Sequence, residues 1–210
     1  MSRSRRRSRT WHVSCVRARV PYPARVLPYD VLVLNGGSSS GTTSLARALQ
    51  DLLFPESWLL CAVDDLVAAL PAALREDGGG GTGEGIVLAG DGSVRPGETF
   101  RRVEAAWRAG VAATARAGTR VLVDDVFLGG PASQARWADA LTGLRTAWVG
   151  VRCAPAVAAA REAGRPDRVP GMAARQALLV HEGVRYDTEA DTTHRDPARC
   201  AREVLRTLGA

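Results

Sequence analysis

Residues 36–43, Gly36-Gly37-Ser38-Ser39-Ser40-Gly41-Thr42-Thr43, have the types and spacing of a loop that could hold an anion. They match G-x-x-x-x-G-K-[ST] at Gly36, Gly41 and Thr43, with Thr42 where that pattern has lysine. Glycine reaches backbone angles closed to other residues, so successive N–H groups can turn inward around a negative charge. A helix starting just after the loop adds its partial positive end. Thr43 supplies the hydroxyl that helps hold Mg²⁺ in such a site. An ordinary glycine turn capped by Ser and Thr would use the same residues. The apolar run directly before Gly36 favours the anion-binding reading.

Two acid pairs come next. Asp64 and Asp65 follow one apolar run, and Asp124 and Asp125 close another. A carboxylate at such a place can take a proton from a hydroxyl that attacks a phosphoryl group, and another can join the shell of a magnesium ion. Tandem acids also serve as helix caps or solvated loop residues, so either pair alone leaves both readings open. Arg161, Arg165 and Arg168 flank a Gly/Pro segment ahead of a helical pattern. Arg165 and Arg168 could neutralise charge on a transferred group, whereas Arg161 reads as a solvated helix end. His181 and His194 have no Ser or Cys partner in a local motif and read as structural or loop residues.

The elements that must position these residues can be traced by period. DVLVLN (30–35), WLLCAVDD (58–65), RVLVDDVF (120–127) and RTAWVGVRC (145–153) are short apolar runs of the buried parallel-strand kind, and YDTEADTT (186–193) is a weaker fifth. TTSLARALQDLL (42–53) repeats leucine at helical spacing, and TFRRVEAAWRAGVAATARAG (99–118), ASQARWADAL, MAARQALLVHEG and the stretch from about Pro197 also read as helices. Strands alternating with helices imply βαβ units, right-handed crossovers and helices on both faces of one sheet. Between them, about 75–97 reads as a Gly-rich insertion with a small hairpin at GIVLAGDGSVRPG. The chemistry-bearing residues fall after the carboxyl ends of strands, where open α/β sheets bind ligands.

Composition bounds the rest. The 210 residues suffice for one α/β domain. The chain contains no lysine, so its 28 basic residues are all arginine. Eight of them precede the first carboxylate, Asp30; the other 20 face 22 carboxylates, leaving residues 30–210 at about −2. The net charge of +6 thus belongs to residues 1–29, which read as a basic, disordered extension. A polyanion could contact the run Arg3–Arg9, and no nucleic-acid binding is expected elsewhere. No run approaches the roughly 20 apolar residues of a membrane span. Cys15, Cys61, Cys153 and Cys200 are scattered without metal-ligand spacing, the pattern of reduced cytoplasmic thiols.

Taken in order, LNGGSSSGTTS, VDDLVAALP, VDDVFLGG, WVGVRC, REAGRPDRVPGMAARQA, VHEGVRYD and DTTHRD resemble the chloramphenicol phosphotransferase family from about Asp30 to the C-terminus. The resemblance implies a P-loop kinase-type three-layer α/β sandwich, with a five-stranded parallel sheet in the order 2-3-1-4-5. It implies ATP as phosphoryl donor, Mg²⁺ as metal, and a small-molecule hydroxyl as acceptor, which in the family's namesake is a primary hydroxyl of chloramphenicol. Asp64 falls on the family's general base, and Arg165 and Arg168 fall in its lid, about 161–172. Gly36 through Thr43 fall on the P-loop, with Thr43 and Asp124 toward the metal.

The departure is Thr42, where the family has a lysine acting as a point charge on the terminal phosphates. With no lysine in the chain, only an arginine could supply that charge, and those of the lid are the candidates. Losing one such contact costs about 3–4 kcal/mol of transition-state stabilisation, by analogy with losing an oxyanion donor. Three readings follow: an active small-molecule kinase, a relative that binds nucleotide or ligand with weakened catalysis, and a nucleic-acid-associated protein acting through its arginine tail.

Overall fold

The computed structural model describes residues 27–75, 83–89, 92–164 and 171–209. Five parallel strands make the main sheet: β1 (Val31–Gly36), β2 (Trp58–Ala62), β5 (Arg120–Asp125), β6 (Thr146–Arg152) and β7 (Thr188–Asp191). Their spatial order is β2-β5-β1-β6-β7, which is 2-3-1-4-5 when only these strands are counted. The remaining two, β3 (Ile86–Leu88) and β4 (Val94–Pro96), form a separate antiparallel hairpin.

Alternation along β1 shows why helices cover both faces. Leu32 and Leu34 join one core cluster with Leu45, Leu49 and Leu53 of α1 (Thr42–Leu53) and Val204 and Leu205 of α8 (Pro197–Thr207). Val31 and Val33 point the other way, to Val111 and Ala115 of α4 (Glu98–Arg116) and Trp137 of α5 (Pro131–Ala140). Period-2 strands inside two layers of period-3.6 helices bury every residue of β1, each large side chain contributing about 1.5–3 kcal/mol. A third cluster gathers Leu70, Ile86 and Phe100 beneath the hairpin, together with Leu66 and Val67 of α2 (Val63–Ala68) and Leu74 of α3 (Ala72–Arg75). Finally α6 (Pro155–Ala163) packs on α7 (Met172–Leu179) through Ala158 and Ala173.

Several expected boundaries move. The run 58–65 is shorter as a strand: β2 stops at Ala62, and Asp64 and Asp65 follow it in the first turn of α2, since β5 ends at Asp125 and offers an extended 63–65 a partner for its first residue alone. The fifth strand shortens to four residues, and β5 ends at Asp125. Leu27, expected in the tail, is fully buried in the core, and the backbone carbonyls of Leu27 and Tyr29 accept from Arg120 Nη1 at 2.5 and 3.2 Å. Residues 1–26, which hold the arginine run, lie outside the described residues, as do Arg165 and Arg168. No helix among the described residues is long and apolar enough to cross a membrane.

Candidate active site

Parallel register carries the site to one edge. Leu34 and Asn35, the last residues of β1 before its glycines, lie beside Asp124 and Asp125 of β5. The chain then turns through Gly37–Gly41 into α1. A Cβ on Gly36 would strike the hydroxyls of Ser40 and Thr42, and one on Gly37 would sit 3.0 Å from Gln176 of α7, so close approach demands glycine at both. Ser39 is held at φ 59°, a left-handed conformation that non-glycine residues rarely adopt. Such strain persists only where surrounding contacts over-determine it.

Those contacts come from the C-terminal third of the chain. Gln176 Oε1 accepts from Ser38 N–H at 2.8 Å. Thr192 Oγ1 donates to the Ser40 carbonyl. Arg161 Nη1 lies 3.4 Å from the carbonyls of both Ser39 and Ser40. Arg161 is therefore no solvated helix end: it is half-buried, with its guanidinium against the backbone carbonyls of the loop. Gln176 and Thr192 lie in segments that carry the family resemblance, but neither shows a role in the sequence, and a fold was needed to bring them to the loop.

The inside of the loop faces a hollow of about 80 Å³ lined by residues 36–44 with Val63, Asp64, Asp124 and Val126. Two hydroxyls, Ser38 Oγ and Ser39 Oγ, are buried without a hydrogen-bond partner. Buried polar groups are nearly always satisfied, so these fit a loop that awaits a polar ligand. Thr42 lines the hollow without the charge a lysine would bring; it is buried, and its hydroxyl lies 2.7 Å from Ser40 Oγ. Thr43 Oγ1 donates to Asp124 Oδ2 at 2.6 Å. Burial pushes the Asp124 carboxyl up to about 7, opposed by the Thr43 bond and reinforced by the charge of Asp64. A group so placed gains by having a cation near it. One hydroxyl and one carboxylate beside a phosphate cradle suit Mg²⁺, which keeps several waters and uses one or two carboxylates with phosphate oxygens. Among the described residues no cluster of three His, Cys, Asp or Glu could hold a metal by itself.

Asp125 faces the opposite side of β5. It accepts from Trp137 Nε1 at 2.6 Å and from Val126 N–H at 2.7 Å, and burial raises its carboxyl to about 6. It fixes the turn after β5 and lies outside the loop's hollow. His181 is buried and bonded through Nδ1 to Tyr186 OH at 2.7 Å, while His194 is exposed, both away from the loop's hollow.

A second cavity, about 930 Å³, opens beside the first. Ile86, Leu88, Val94 and Phe100 give it an apolar wall under the hairpin, and Arg108, Asp125 and Gln176 add polar points. Asp64 lines both cavities. A glycine loop, a hydroxyl paired with a buried carboxylate and a larger chamber thus meet here, with the carboxylate of Asp64 at their junction.

Comparison with known proteins is consistent with this arrangement. Residues 29–209 match the family described as chloramphenicol phosphotransferase-like protein. A protein named "Putative O-phosphotransferase" from Mycobacterium tuberculosis, in strains H37Rv and CDC 1551 / Oshkosh, is 35% identical over 194 residues, covering 86% of this chain and 82% of the relative. Among solved structures, a gluconokinase from Sinorhizobium meliloti 1021 aligns with a TM-score of 0.53 at 18% identity, over 85% of this chain and 90% of that one. The Mycobacterium tuberculosis APS kinase in complex with AMPPNP and APS aligns at 0.54 and 17% identity, over 86% and 97%. At such low identities the structural likeness shows the fold, which is that of the P-loop kinases.

Proposed function

This chain belongs to the chloramphenicol phosphotransferase-like family, and from that premise we propose that it transfers the terminal phosphoryl group of ATP to a hydroxyl of a small molecule. The observation that carries the reading is Asp64, the carboxylate shared by the loop's hollow and the larger cavity. An acceptor in the larger cavity would present its hydroxyl there, beside a donor whose phosphates lie on residues 36–43. Asp64 takes the hydroxyl proton as the acceptor oxygen bonds to phosphorus; the bond from phosphorus to the bridging oxygen breaks, and ADP leaves. The loop's N–H groups, with Ser38 Oγ and Ser39 Oγ, hold the phosphates. Thr43 and Asp124 would hold Mg²⁺, which neutralises charge on those phosphates. Arg165 and Arg168 are proposed to meet the same charge from the lid. The apolar wall suits an acceptor with an apolar body, and its partial enclosure limits water competing as acceptor.

One observation favours a second reading, a relative that binds nucleotide with weakened turnover: Thr42 is uncharged and turned toward Ser40. A coupled assay of ADP release with Mg²⁺, run with and without chloramphenicol, separates the two. Acceptor-dependent release in the native protein that is lost in Asp64→Ala supports the kinase. Tight nucleotide binding with release only after Thr42→Lys supports the second reading.

A further inference from the structure

Position 42 leaves the loop without a cation of its own, yet a cation lies against its other side. Arg161 Nη2 donates to the carbonyl of Thr192 at 2.7 Å and approaches that of Thr193 at 3.4 Å. Its Nη1 approaches the carbonyls of Ser39 and Ser40 and the Cys153 sulfur, each at 3.4 Å. All these acceptors are neutral, and Arg161 pairs with no carboxylate among the described residues. Nearby carboxylates are engaged elsewhere: Glu162 accepts from the N–H groups of Gly171 and Ala173, and Asp191 from that of Thr193.

A half-buried guanidinium whose partners among the described residues are all neutral gains when an anion binds near it. Its contacts also act through the backbone. Drawing on the carbonyls of Ser39 and Ser40 polarises the peptide groups that carry the N–H of Ser40 and Gly41, and a polarised N–H is a stronger donor. Gly41 opens α1, so that effect falls where the cradle meets the helix.

We propose that Arg161 is a positioning residue that supplies, from outside the loop, the positive charge that Thr42 does not. This rests on the reading that the loop binds the donor's phosphates. It predicts that the charge can be moved: a lysine at 42 should make Arg161 dispensable, which a purely structural Arg161 would not allow.

The test is calorimetric binding of Mg²⁺–AMPPNP and of inorganic tripolyphosphate, which has no base, to the full chain. Arg161→Gln is expected to weaken both by about tenfold or more, the size of one charge-assisted contact, and the Arg161→Gln/Thr42→Lys double variant to recover to within about threefold of the parent. Equal affinity of parent and Arg161→Gln, or a folded double variant with no recovery, overturns the inference while leaving the donor site standing. A parent that binds neither probe overturns the donor reading and the inference together. Should Arg161→Gln melt at the assay temperature, Arg161→Lys decides: retained tripolyphosphate affinity supports a charge role, and a tenfold loss contradicts it.

Discussion

Asp64 and Thr42 make opposite demands on an experiment. If Asp64 is the proposed proton acceptor, Asp64→Asn removes it and leaves the glycine loop intact, so the variant's turnover should fall by about 10²–10⁴-fold. Its affinity for Mg²⁺–AMPPNP should stay within a few-fold of the parent, measured by calorimetry beside initial rates; an equal loss in both would remove Asp64 from the chemical step. Thr42→Lys should raise turnover, by up to the hundredfold to thousandfold of one transition-state contact. A gain well short of that would fit a charge already supplied by Arg161. At this scale the sequence was readable where residues follow the ends of strands: residues 36–43, Asp64 and Asp124 line one hollow, as their places after the apolar runs imply. It misplaced Arg161 as a solvated helix end and pointed to no role for Gln176 and Thr192, because all three reach the loop from more than 120 residues away.

Among the elements, the start of α7 is held by one side chain of α6. Glu162 is buried on α6, and its two oxygens accept from Gly171 and Ala173 at 2.8 Å, satisfying N–H groups at the start of α7. Glu162→Ala should cost about 3 kcal/mol or more, since two bonds to a charged acceptor are lost at about 1.5–3 each and orphaned buried donors add to the loss. Chemical denaturation would measure it. Because α7 carries Gln176, nucleotide affinity should fall as well, and a variant that loses stability but binds normally would uncouple α7 from the loop. The strands were readable because buried apolar runs admit few alternatives, as in Val31–Leu34. The start of α2 at Val63 was not, because a run ending in two acids reads alike as a strand end or the first turn of a helix. Asp64 keeps its place at the sheet edge either way, so the error touched the element and left the site.

Across the molecule, a polar network beneath the loop joins distant parts of the chain. Asn35 donates to Tyr186 OH at 2.6 Å and to the Val180 carbonyl at 2.8 Å, and accepts from Phe127 N–H at 2.9 Å; Tyr186 meets His181. Burial, and then the charge of Arg152, push the His181 imidazole down to about 4. The folded state therefore binds fewer protons than the unfolded one between about 4 and 6.5, and the imidazole's contribution is lost as pH falls through that window. Asp124 and Asp125, held up by burial, act in the opposite sense, so the whole-protein profile is blunted. The difference between parent and His181→Asn melting temperatures from pH 7 to 4.5 isolates the histidine: the variant should lose less, and parallel curves would contradict the assignment. No local pattern foretold this network, because it forms only once β1, α7 and the turn after β5 meet. The most direct test of the central claim is detection of the phosphate ester itself. Protein is incubated with γ-labelled ATP, Mg²⁺ and a panel of hydroxyl compounds that includes chloramphenicol, and the products are followed by mass spectrometry. A labelled ester that forms with the native protein and disappears in Asp64→Asn is the predicted result. Its absence from both the native and Thr42→Lys proteins, or its persistence at full rate in Asp64→Asn, would contradict the account.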